Sequence, residues 1–182
     1  MTYILDMVHH NPGEPTFKSA FLEPSHLVDY GFNGQVFKHI NCVATFEKLG
    51  VDVFPAGSVE RAWLDEFTPG IEREITAAKE AGLMVFYHID LFVLPKRLVE
   101  HFRGEICDES GRILLDRPRT LEIHRAMFDE LAERFPEVDG YIIRVGETYL
   151  FDTPHHVGNG PIPRVGQGWS PTYLYEETLG RK

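Results

Sequence analysis

Residues 80–90 read "EAGLMVFYHID", and how this stretch folds decides the architecture. Upstream of it, Ile71, Ile75 and Ala78 recur on one helical face, and Gly82 is a natural helix stop. The run that follows is almost continuously apolar, with aromatic and β-branched residues throughout. That composition suits a strand covered on both faces in a parallel sheet. In such a strand Met84, Phe86, His88 and Asp90 share one face. The strand therefore ends by placing an imidazole and a carboxylate side by side.

Three other apolar runs read as its companions: "YILDMV" (3–8), "VDVFPA" (51–56) and "GYIIRV" (140–145). The junction "KLGVDVF" repeats the helix–glycine–strand pattern, after a helical stripe of Val36, Ile40, Val43 and Ala44 that stops at Gly50. A further stripe, Leu121, Phe128, Leu131 and Phe135, ends at Pro136. Between them a helix is expected near "PKRLVEHF", and "ICDESGRILLD" reads as a small β-hairpin excursion turning at "DESG". The expected fold is α/β, a parallel (β/α) barrel-type domain of about four βα units, equivalent to half of a TIM barrel. A closed barrel needs eight such units, so residues 1–182 are expected to form a single, incomplete barrel. Residues 150–182 are expected to be an irregular Gly/Pro-rich loop and tail. The alternative, a doubly wound sheet, lacks its Gly-rich phosphate loop, because "HHNPGEP" carries Pro12 where free N–H groups are needed.

Composition narrows the partners. The chain has 182 residues, 43% of them hydrophobic, which is enough for one core. A formal charge of −10 argues against a nucleic-acid partner, since phosphate binding wants a basic face. No run approaches the length of a membrane span, so no membrane association is expected. Cys42 and Cys107 lack metal-type spacing; a pair is open to them in principle, but they read more simply as reduced thiols, and a cytoplasmic location is expected. No cofactor is expected.

Chemistry in α/β folds collects beyond the C-terminal ends of the strands. Those ends carry His9, His10 and Asn11 on the first run, Gly57 and Ser58 on the second, His88 and Asp90 on the third, and Arg144 and Glu147 on the fourth. The opposite ends carry mostly helix-stop glycines and turns.

The strand end "IIRVGETYLFDTPHH", with "YHIDLFVLP" and the opening "DMVHHNPGEP", resembles the first half of a (β/α)8-barrel glycoside hydrolase of the polysaccharide-degrading kind. The resemblance implies a glycosidase acting on a polysaccharide or oligosaccharide, with Glu147 as general acid/base. Glycoside hydrolysis needs a second carboxylate across the sugar, and Asp90 is the strand-end stand-in for one that those families take from a later strand. Asn11, His10, His88, Arg144 and His155 would bind hydroxyls or a uronate, with Tyr149 and Trp63 among the stacking platforms.

Two other readings stay open. One is a carbohydrate-binding or inactive remnant. The other is a metal-dependent hydrolase or isomerase, with His10, His88, Asp90, Glu147 and His155 converging. No HxH or HExxH spacing supports the second, and no metal is expected. Ordinary placements compete as well. Trp63 is a packing anchor by default, and His155 and His156 fall in a loop where a solvated position is the default. Four strands leave two sheet edges, which a second copy of the chain or a C-terminal half would pair.

Overall fold

A computed structural model describes residues 2–6, 23–144 and 153–158. In chain order its elements are β1 (Leu5–Asp6), α1 (Pro24–Asp29), β2 (Gly34–Phe37), α2 (Val59–Glu80), β3 (Met84–Asp90), β4 (Leu94–Pro95), α3 (Lys96–Ile106), α4 (Pro118–Arg134), β5 (Gly140–Arg144) and β6 (His156–Val157). Short 3-10 turns at Ile40–Val43 and Glu47–Leu49 fill the connection between β2 and α2.

α2 and β3 form as the sequence predicts. The Ser58 side chain caps α2 by accepting from the Arg61 N–H at 3.1 Å. Leu64, Ile71, Ile75 and Ala78 are the buried face of α2, and Gly82 leaves the helix with φ +81°. β3 then alternates. Val85, Tyr87 and Ile89 are fully buried against the helices, and the Tyr87 hydroxyl lies 3.1 Å from Glu74 Oε2 of α2. Phe86, His88 and Asp90 take the other face.

The sheet is parallel and ordered β1-β2-β3-β5. Each strand is laid on the same side of its predecessor, without the reversal of direction that defines a doubly wound sheet. Asp139 sets the last register: its Oδ2 accepts from the Val85 N–H at 2.7 Å, and its own N–H donates to the Val85 carbonyl at 2.9 Å. Phe86 then lies over Gly140, where a Cβ would stand 2.9 Å from the ring.

The second strand is not where the sequence reading puts it. "VDVFPA" forms no strand; Val51, Val53 and Phe54 are buried in an irregular segment that leads to the cap of α2. β2 is instead "GQVF", which overlaps the start of the stretch expected to be helical. The expected helix is replaced by this strand and the 3-10 turns, although Gly50 still ends the segment with φ +70°. Gly34 explains the exchange. A Cβ there would stand 2.5 Å from Leu5 Cδ2 and 3.3 Å from the Met84 carbonyl, so any other residue would have to push the Leu5 side chain aside where three strands approach. Gly57 and Ser58 accordingly belong to a helix start and not to a strand end.

α4 is present but turned relative to the expected stripe. Its buried face is Thr120, Ile123, His124, Met127 and Leu131, while Leu121 is 47% exposed. The rotation brings His124 Nε2 within 2.8 Å of the Leu91 carbonyl, a polar tie that an apolar stripe cannot report. Phe128 packs edge-on against Tyr141 of β5. The hairpin excursion is minimal: one antiparallel bridge, Cys107 with Ile113, closed by Asp108 and Arg112. Of residues 150–182 the structure describes 153–158, which carry β6, and β6 pairs antiparallel with β4.

Candidate functional site

The site is built outward from β3. In the β3–β5 register His88 faces Ile142 and Asp90 faces Arg144. Partners across parallel strands project to the same face, so His88, Asp90 and Arg144 gather on the side away from α2 and α4. His88 and Asp90 are 6% and 4% exposed. The Asp90 carboxylate is held by the turn it starts, with Oδ1 accepting from the Phe92 N–H at 3.1 Å and the Val93 N–H bonding the Asp90 carbonyl at 3.1 Å. A carboxylate fixed in this way does not have to be reoriented when a ligand arrives.

Beyond the strand end lies a buried rim. Cys42 and Val93 pack together there with Trp63 against them. Burial pushes the Cys42 thiol up to about 12, the Thr153 hydroxyl opposes this, and the Asp90 charge adds to it. Cys42 is therefore a packing residue, since the thiolate is the reactive form. The Asn41 side-chain amide donates to the Val93 carbonyl at 3.4 Å, anchoring the 3-10 turn to the same rim.

Residues 153–158 close over this rim. Lys96 N–H donates to the His155 carbonyl at 2.9 Å, and Pro95 pairs with His156. His155 adopts φ +62°, which turns the chain sharply at the paired histidines. The expectation that both histidines are solvated is corrected: His155 is half-buried and His156 is 6% exposed. Their rings stand edge-on to Trp63 at 6.0 and 5.5 Å. His156 Nδ1 lies 2.8 Å from the Pro154 carbonyl. Burial lowers its affinity for a proton to a pKa of about 4, and the carbonyls of Pro154 and Cys42 only partly offset that.

Of the residues singled out in the sequence, His88, Asp90 and Arg144 share one face of β3 and β5, while Trp63 and His155 meet at the rim. Trp63 stacks on Phe67 at 4.8 Å and 18°, so one face of its indole is already occupied. His10, Asn11, Glu147 and Tyr149 lie outside the described residues. Among the described residues no three His, Cys, Asp or Glu side chains come close enough to hold a metal ion. Cys42, Thr153, His124 and His156 were not read as site residues, because each is drawn in by a contact between distant segments.

No family model matches the chain, and no curated protein or solved structure matches it.

Proposed function

We propose that this chain is a (β/α) barrel-type module, the front portion of a glycoside hydrolase acting on a polysaccharide or oligosaccharide. The observation that supports this most is the gathering of His88, Asp90 and Arg144 on one face at the C-terminal ends of neighbouring parallel strands. In barrels of this kind that end carries the chemistry. Glu147 follows Arg144 by three residues in the sequence and is the general acid/base of the proposal.

In the proposed reaction the protonated Glu147 carboxyl gives its proton to the leaving glycosidic oxygen as the C–O bond breaks, a water oxygen bonds to the anomeric carbon, and the proton that water gives up returns the carboxyl pair to its starting state. Asp90 supplies the negative charge that faces the developing oxocarbenium ion. Arg144 and His88 bind ring hydroxyls or a uronate carboxylate, Arg144 through its paired donors.

Glu147→Gln separates the roles. In this proposal it lowers turnover of oligosaccharides by roughly 10²–10⁴-fold, the usual worth of general acid catalysis, with binding kept. Saturable oligosaccharide binding with no turnover in the unsubstituted protein would assign a binding module instead. Turnover unaffected by the substitution would remove Glu147 from the mechanism.

A further inference from the structure

A second candidate site lies on the helix side of the sheet, away from His88, Asp90 and Arg144. A cleft of about 330 Å³ runs along α2, lined by Trp63, Glu66, Phe67, Gly70, Arg73 and Glu74, with Ile71 at its base. That volume is within the range of small-molecule sites. Trp63, Phe67, Gly70 and Glu74 are spaced by four, three and four residues, so they form one stripe along the helix.

Three features of the stripe point the same way. Trp63 and Phe67 stack on each other and give the cleft an aromatic wall. Gly70 sits mid-helix beside Pro69, where an alanine would be preferred. An added Cβ at Gly70 would meet nothing nearer than Arg73 Nη2 at 3.9 Å, so the glycine leaves space that any other residue would begin to fill. Glu74 lines the same cleft, half-buried, with the Tyr87 hydroxyl of β3 bonded to it at 3.1 Å.

The charged and titratable groups around Glu74 are few. Tyr87 comes from β3, Arg73 and Glu66 come from α2 itself, and His39 lies beyond Phe67 at a ring distance of 6.0 Å. Among the described residues no cation forms a salt bridge with Glu74. A half-buried carboxylate whose charge Arg73 only partly balances gains from a counter-ion that arrives with its own apolar body. We propose that the α2 cleft binds an organic ammonium ion, its nitrogen against Glu74 and its apolar part along Trp63 and Phe67. This assignment does not rest on the glycosidase proposal.

Benzylamine and its neutral isostere benzyl alcohol test it, each titrated into the full chain by calorimetry and by NMR. The amine is expected to bind saturably and the alcohol at least tenfold more weakly. Glu74→Gln should weaken the amine at least tenfold. Gly70→Leu, which favours the helix while filling the cleft, should abolish binding in a protein that remains folded. Burial raises the Glu74 pKa to about 7, so amine affinity should fall roughly tenfold from pH 8 to pH 6 as the carboxyl takes up a proton. Equal affinity for amine and alcohol, indifference to either substitution, or no saturable binding up to about 10 mM would overturn the proposal.

Discussion

The two sides of β3 solve different problems with the same strand. On the helix side Val85, Tyr87 and Ile89 are wholly buried, and the one polar atom among their side chains, the Tyr87 hydroxyl, is tied to Glu74. The other side begins with half-buried Met84 and Phe86 and ends with buried His88 and Asp90. A parallel strand covered for packing alone would stay apolar to its end. The polar end of one face, in register with Arg144, sets the candidate site apart from the core.

The same contrast appears in two ionisable groups, one half-buried and one buried. Glu74, on the helix side, holds its proton more tightly than an exposed carboxyl, up to about 7, because burial disfavours the charge. His156, at the rim, holds its proton less tightly than an exposed imidazole, down to about 4, for the same reason. Both prefer to be neutral, yet their effects on stability run in opposite directions with pH.

The helix side should give the largest response to substitution. Ile89→Ala is expected to cost about 2–5 kcal/mol, read as a lower denaturation midpoint with an unchanged slope. A loss under 1 kcal/mol would mean that this face is not the packed one.

The rim comes next. The stabilising effect of neutral His156 is intact above its ordinary pKa of 6.5 and is lost as pH falls through about 4. The loss is on the order of 3 kcal/mol. In His156→Asn the acid limb of the stability profile flattens. An unchanged limb would show that His156 titrates like an exposed histidine.

Glu74 gives the opposite and smaller trend, because it is only partly shielded. Its contribution is intact below its ordinary pKa of 4.5 and is lost as pH rises through about 7. Denaturation of Glu74→Gln at pH 5 and pH 8 should show a gain relative to the unsubstituted protein at pH 8 and little change at pH 5. A gain of equal size at both values would contradict a half-buried, titrating carboxyl.

Much of this contrast was legible in the sequence. The alternation of β3, the cap and stop of α2, and the shared parity of His88 and Asp90 all follow from local spacing. β2 was not legible, because the feature that makes it a strand is a close approach. Gly34 reads as a turn residue until Leu5 and Phe86 are seen lying over it, and Gln35 breaks the apolar run. "VDVFPA" failed in the other direction. Its apolar residues are buried, but burial does not require a strand, and Pro55 lacks a ladder donor. The rim around Cys42, Thr153 and His156 is assembled from segments far apart in the chain, and no local pattern announces such a meeting.

The central claim is that His88, Asp90 and Arg144 form a sugar site on the face of β3 turned away from the helices. Oligosaccharide affinity measured for His88→Ala and Arg144→Ala, with Tyr87→Phe as the opposite-face control, tests it most directly. The two site substitutions should each weaken binding by about tenfold or more, the worth of a charged or buried hydrogen bond, and the control should stay within about twofold. Equal effects from all three, or binding untouched by His88 and Arg144, would contradict it.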